Sequence, residues 1–306
     1  MPIIPPPLQP GSVIGLCAPA RKVTPAEMAP GIALLESWGY RVKTAPNLYG
    51  EHHQFSGTDE QRAADLQSLI NDPEVDAIIA ARGGYGCVRI IDNIYLHPLQ
   101  AKPKWIIGFS DMTVLHSQVH QHTGIATLHA PMMYSLAENR TLPIAVDSLR
   151  NVLRGERTAI HVDAHPNNRN GEAEGVLVGG NLSLLYALAG TGSDIDTRGK
   201  ILFLEDLDEY LYHIDRMLMQ LKRSGKLSGV KGLIIGGMSD MKDNAVPFGK
   251  TAEEIIAEAV AEYDYPVCMG FPAGHIADNR ALVLGAPYQL NVSGKVMLSQ
   301  SPSASE

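Results

Sequence analysis

Lys104-Trp105-Ile106-Ile107-Gly108-Phe109-Ser110-Asp111-Met112-Thr113 is the stretch that decides the architecture. Lys104–Phe109 is short, apolar and bounded by charge and proline, the signature of a buried strand. It runs directly into a helical segment, Asp111–His122, which ends at Gly124, and Ser110 stands at the junction. Working outward, Ser12–Ala18 and Asp76–Ala80 repeat the strand pattern. Between these strands lie the helix-like stretches Pro25–Trp38 and Thr58–Asn71, the second opened by a capping box at Thr58-Asp59-Glu60-Gln61. Strands alternating with helices imply a mostly parallel sheet covered by helices on both faces.

The alternation weakens between Gly155 and Glu174, a polar stretch with Pro166 and several Asn/Gly turn residues. It reads as an interdomain connection holding at most one strand. Beyond it Gly175–Val178, Lys200–Leu204, Lys231–Ile235 and Pro266–Met269 read as strands, with helices at Leu211–Arg223, closed by Gly225, and Thr251–Tyr263. The last thirty residues read as short antiparallel strands turning at Ser293-Gly294, and Ser301–Glu306 as a frayed tail. The expected division is therefore 1–155, a connection over 156–174, and 175–306.

Composition narrows the function. The 306 residues exceed the usual prior of roughly 150 per domain, so one large unit or two coupled domains are expected. Lys and Arg number 25 against 33 Asp and Glu, giving a net charge of −8 with no basic cluster, which argues against nucleic acid as a partner. Cys17, Cys87 and Cys268 are odd in number and far apart, so neither a disulfide framework nor a zinc site is expected, only small buried side chains. Met1–Pro7 has no basic leader followed by an apolar run, and no apolar stretch reaches the roughly 18 residues of a membrane span. A soluble protein of a reducing compartment, not bound to a membrane, is the expectation.

Four loops that follow strands carry chemistry. Ser110 projects from the carboxyl end of its strand, where open α/β sheets place their ligands, and the following helix turns its N–H groups toward that point. The setting has the mechanics of a nucleophile elbow, although G-F-S-D departs from G-x-S-x-G, and taken alone the segment reads more simply as a helix cap at Ser110. Ala81-Arg82-Gly83-Gly84-Tyr85-Gly86 follows another strand and lets the backbone approach a ligand closely, as an anion site or oxyanion hole, or merely as a tight turn. It matches neither G-x-G-x-x-G nor G-x-x-x-x-G-K-[ST], which removes support for a dinucleotide or ATP. Glu205 ends the apolar run Ile201–Leu204, and His275 sits on the loop Phe271-Pro272-Ala273-Gly274-His275. Ser110, His275 and Glu205 supply a nucleophile, a base and an orienting carboxylate, the three roles of a serine hydrolase. A chain of this length offers many such trios, so spacing alone leaves the assignment open.

Three other groups read as bland. His116, His120 and His122 lack the glutamate of H-E-x-x-H, so a solvated helix face is expected, not a metal site. His161-Val162-Asp163-Ala164-His165 reads as an exposed polar strand. Asp206, Asp208 and Glu209 read as a solvated turn or as partners of Arg216.

The blocks ARGGYG (Ala81–Gly86), GFSDMT (Gly108–Thr113), FLED (Phe203–Asp206) and FPAGH (Phe271–His275) resemble the LD-carboxypeptidase family, the muramoyltetrapeptide carboxypeptidases of peptidase family S66. GGNLS at Gly179–Ser183 and HIDRMLMQL at His213–Leu221 resemble it too. The resemblance implies an α/β fold with a flavodoxin-like parallel-sheet domain at the N-terminus. A C-terminal mixed α/β domain with short antiparallel strands would supply Glu205 and His275. It implies Ser110 as nucleophile, oxyanion donors at Asp111 and at a glycine of the Gly83-Gly84 turn (Gly84 preferred), and no metal or cofactor. It further implies release of terminal D-alanine from cytoplasmic peptidoglycan tetrapeptides and a homodimer. A substrate ending in a carboxylate needs a cation, for which Arg82 stands beside the turn, with Gly83 and Tyr85 as further contacts. Two other readings share the features: a self-immunity peptidase of the microcin C type, cleaving peptidyl- or aminoacyl-nucleotides, and a non-catalytic α/β ligand-binding module. The first needs an aromatic platform for a base, and Trp38 and Trp105 both lie in core-like segments.

Overall fold

In this computed structural model residues 2–137 and 140–302 are described; the expected tail lies outside them from Ser303 onward. The chain opens with β1 (Val13–Cys17), α1 (Pro25–Ser37), β2 (Arg41–Thr44), α2 (Asp59–Asn71), β3 (Val75–Ala80), α3 (Cys87–Ile90), α4 (His97–Ala101) and β4 (Trp105–Gly108). It continues through α5 (Thr113–Thr123), β5 (Thr127–His129) and α6 (Pro143–Leu153). Then come β6 (Ala159–Asp163), β7 (Gly171–Asn181), α7 (Leu182–Leu188), β8 (Ile201–Leu207), α8 (Leu211–Arg223), β9 (Gly232–Ser239), α9 (Ala252–Ala259) and β10 (Val267–Cys268). The strands β11 (Leu282–Leu284), β12 (Pro287–Val292) and β13 (Lys295–Gln300) end it. Two compact units result: the chain up to Glu156 with Ala277–Gly285, and Arg157–Ile276 with the chain from Ala286 onward.

The first unit is built on a six-stranded sheet in the order β11-β5-β4-β3-β1-β2. Its five leading strands are parallel in the flavodoxin-like order 2-1-3-4-5, and β11 adds an antiparallel edge against β5. β1 and β4 are buried along their whole length and β3 at all but Asp76, as a parallel sheet covered on both faces requires. Thr58 and Gln61 form the expected capping box at the start of α2, and Thr24 and Glu27 form another at the start of α1. Gly124 closes α5 in the left-handed conformation, φ 68°.

The second unit holds a seven-stranded sheet, β10-β9-β8-β7-β12-β13-β6. β7 joins its two halves: Gly171–Val176 pairs antiparallel with β12, and Leu177–Asn181 pairs parallel with β8. Burial follows the pairing, since the first half of β7 alternates between more and less exposed positions while Leu177–Asn181 is buried throughout. On α8 the residues Ile214, Met217, Leu218 and Leu221 recur at helical spacing and enter the core.

The α/β class and its parallel first sheet agree with the sequence, but some segments differ. The polar stretch 156–174 is no linker: it contains β6 and the start of β7, both in the second sheet. The run expected as a C-terminal antiparallel set is split, because β11 pairs with β5 of the first sheet. The helix expected over Thr251–Tyr263 ends at Ala259. β2, with the exposure pattern of a polar edge strand, and the three-residue β5 are too polar or too short for an apolar run to reveal.

Candidate active site

In the first unit the strand β4 ends at Gly108, and a single 3-10 turn, Ser110–Met112, precedes α5. Ser110 has φ 63°, a left-handed conformation that a residue with a Cβ rarely adopts. A left-handed backbone of this kind, on a sharp strand-to-helix turn, is what an elbow requires. The hydroxyl meets the glycine turn, since a Cβ on Gly83 would lie 3.0 Å from Ser110 Cβ and 3.2 Å from its Oγ. Only a glycine leaves that approach open. Gly84 has φ 110°, and a Cβ there would run into the stem of Arg21, 2.3 Å from its Cδ.

The glycine turn is fastened from two sides. The Cys87 N–H donates to Asp111 Oδ2 at 2.7 Å, which ties the end of the turn to the residue after the serine. Arg62, 1% exposed, donates from Nη1 to the carbonyls of Pro19 and Gly86 (3.1 Å to the latter) and pairs with Asp59. Burial raises the Asp111 pKa, opposed by hydrogen bonds from Cys87 and the charge of Arg62. Arg62 was missed in the sequence, where it reads as one more polar helix position. Arg82 lies over the Tyr134 ring at 4.1 Å and 3.8 Å from Glu27, while Tyr85 is 46% exposed and packs by its ring near Phe55.

In the second unit Glu205, fully buried, stands near the carboxyl end of β8. Its Oε2 accepts from the His275 backbone N–H at 3.2 Å and lies 2.6 Å from His275 Nδ1. A β-bulge makes room for this pair. Leu204 pairs with Ile235 and Asp206 with Met238, so Gly236 and Gly237 together oppose Glu205. The loop that carries His275 lies against those glycines: Gly237 N–H donates to Ala273 O at 2.9 Å, and a Cβ on Gly236 would sit 2.4 Å from that oxygen. Gly274, at φ 103°, leaves space for Glu205, whose Oε2 would be 2.7 Å from any Cβ there. Ser239 Oγ donates to His275 O at 2.8 Å and pins the loop end. The two adjacent glycines late in a strand pattern were the readable signal of this bulge.

Burial lowers the His275 pKa, but the charge of Glu205, its hydrogen bond and the charge of Asp206 outweigh it, and the net direction is upward. Asp206 points to the other face of β8, where Asn181 Nδ2 (2.9 Å) and the Ser183 N–H (2.8 Å) donate to its carboxylate. Burial and the Glu205 charge push Asp206 up to about 7. The expected solvated turn is therefore corrected at Asp206, which is 1% exposed. Asp208 pairs with Lys242 and Glu209 with His213, not with Arg216.

His116 is corrected too: it is buried, lies with Nε2 2.9 Å from Gly108 O, and is pushed down to about 4 by loss of solvation. It braces the strand that delivers Ser110. His161 lies exposed on β6, an edge strand, as expected. The three cysteines are buried thiols, Cys17 and Cys268 pushed up to about 12 by burial. Among the described residues no three His, Cys, Asp or Glu side chains gather to hold a metal ion, and no helix is long and apolar enough to cross a membrane.

Two family models match the chain. Residues 14–130 match the LD-carboxypeptidase N-terminal domain and residues 174–290 the LD-carboxypeptidase C-terminal domain. A Bacillus subtilis (strain 168) protein named "Probable murein peptide carboxypeptidase" is 35% identical over 301 residues, covering 96% of this chain and 93% of its own. The crystal structure of muramoyltetrapeptide carboxypeptidase from Oxalobacter formigenes superposes with a TM-score of 0.86 at 29% identity, covering 95% of this chain and 99% of that one. MccF in complex with glutamyl sulfamoyl guanosine superposes with a TM-score of 0.87 at 22% identity, covering 98% and 99%, a likeness of fold alone.

Proposed function

This chain belongs to the LD-carboxypeptidase family, and on that premise we propose that it is a serine carboxypeptidase releasing the terminal D-alanine of peptidoglycan tetrapeptides. The observation that carries this reading is Ser110, held at φ 63° beyond a buried strand with its hydroxyl against Gly83. Ser110 Oγ attacks the carbonyl of the scissile bond. His275 takes the hydroxyl proton and returns it to the leaving amine, while Glu205 holds the imidazole and stabilises its charged form. The backbone N–H groups of Asp111 and Gly84 stabilise the oxyanion, each worth about 3 kcal/mol. Water then releases the acyl-enzyme. Arg82, Gly83 and Tyr85 contact the peptide, with the Arg82 guanidinium toward a carboxylate. No metal or cofactor enters this chemistry. The same reading makes the protein a cytoplasmic homodimer, which sedimentation of the purified chain checks.

The test is mass spectrometry of a tetrapeptide incubated with purified protein, in which one alanine is lost. Ser110→Ala folds normally and lowers the rate by roughly 10⁴-fold or more. A variant that keeps turning over refutes Ser110 as nucleophile, and a wild-type chain that binds the peptide without cleaving it establishes a binding module instead. An aminoacyl-nucleotide substrate is disfavoured because Trp105 is 3% exposed and Trp38 packs edge-on to Tyr40 under Arg150.

A further inference from the structure

The glycine turn borders a cavity of about 450 Å³ in the first unit whose charged lining is Arg21, Lys22, Glu27, Glu51 and Arg82. Three cations face two carboxylates there, and the carboxylates are engaged. Glu51 pairs with Lys22. Glu27 lies 3.8 Å from Arg82 and accepts from the Thr24 backbone N–H at 2.8 Å in the cap of α1. Arg82 is further held over the Tyr134 ring. Among the described residues the guanidinium of Arg21 has neither an ion pair nor a hydrogen bond, so it is the charge left over. Its position is nonetheless defined, because its stem crosses Gly84 and fills the space a side chain would occupy there. The next residue back, Gly83, is the one against Ser110 Oγ. A guanidinium is thus anchored on the turn that contacts the serine, in a cavity large enough for part of a peptide.

We propose that Arg21, with Arg82 beside it, clamps a carboxylate of the peptide substrate and so determines specificity for an anionic peptide. The inference rests on the carboxypeptidase reading and extends it to a residue outside the motifs. Two guanidiniums lining one cavity match a carboxylate in charge and in the donors they offer. That carboxylate belongs either to the C-terminal residue that leaves or to an internal acidic residue of the stem.

The experiment compares wild type, Arg21→Met and Arg21→Lys on three peptides: the free tetrapeptide, its C-terminal amide, and the peptide amidated at its internal glutamyl carboxylate. Arg21→Met raises KM on the free peptide about tenfold, the worth of a hydrogen bond to a charged group, with kcat within about twofold. Arg21→Lys recovers part of the loss. One of the two amides is a tenfold poorer substrate for wild type and is unaffected by the Arg21 substitution, and this identifies the source of the carboxylate. An unchanged KM for Arg21→Met, or the same further loss with both amides, overturns the clamp while wild-type turnover leaves the peptidase reading standing. Absence of alanine release by wild type takes both down.

Discussion

Ser110 at φ 63° in the first unit and Gly274 at φ 103° in the second both stand on backbone that most residues avoid. A left-handed serine costs of order 1–3 kcal/mol, which the surrounding packing must supply. His275 carries the clearest electrostatic consequence. In the proposed mechanism His275 is the general base and must be neutral, while the charges of Glu205 and Asp206 raise its pKa against the effect of burial. The acid limb of kcat/KM is therefore expected above the ordinary imidazole value of about 6.5, with activity lost as pH falls through it. Removing the anion in Glu205→Gln shifts that limb downward and slows the reaction at every pH. A limb at or below 6.5 in the wild-type pH profile contradicts this coupling. The sign reverses for stability: protonated His275 stabilises the fold below about 6.5, and that contribution fades as pH rises through the folded pKa.

Among the elements, β4 and α2 are joined by a side chain whose role the sequence conceals. Lys104 is 1% exposed and its Nζ donates to Leu69 O and Ile70 O at 2.8 Å and to Asp72 O at 2.6 Å, closing the carboxyl end of α2. Burial pushes this amine down to about 8, and it remains charged at neutral pH. Lys104→Met keeps the stem and removes the three donors, so urea unfolding is expected to show a loss of about 2–3 kcal/mol. A loss below about half a kilocalorie per mole means that water replaces the amine without penalty. In the pattern Lys104 marks only the charged boundary of a strand. The capping boxes of α1 and α2 need residues three apart and are read directly. A lysine that caps a helix more than thirty residues upstream is not.

For the molecule as a whole, the return of Ala277–Gly285 to the first unit has a thermodynamic consequence. β11 covers the edge of β5, and Ala277 O accepts from the Leu142 N–H at 2.9 Å. Residues 1–156 alone leave that edge open, and an exposed edge strand invites association. The fragment is expected to lack a cooperative urea transition and to aggregate, while joining residues 277–285 to it through a flexible linker restores the transition. A sharp transition for 1–156 without the added strand rules this dependence out.

The apolar strands β1, β3 and β4, their helices and the serine junction were legible because burial on both faces writes itself as continuous hydrophobic runs between local caps. The family blocks likewise carried Ser110, Glu205 and His275 as candidates. What depends on partners distant in the chain was not legible. The β11–β5 pairing, the buried posts Arg62 and His116, and the unpaired charge of Arg21 all arise where segments meet. Local pattern records how a residue suits its own strand or helix, whereas desolvation and charge pairing depend on which other segment is folded against it.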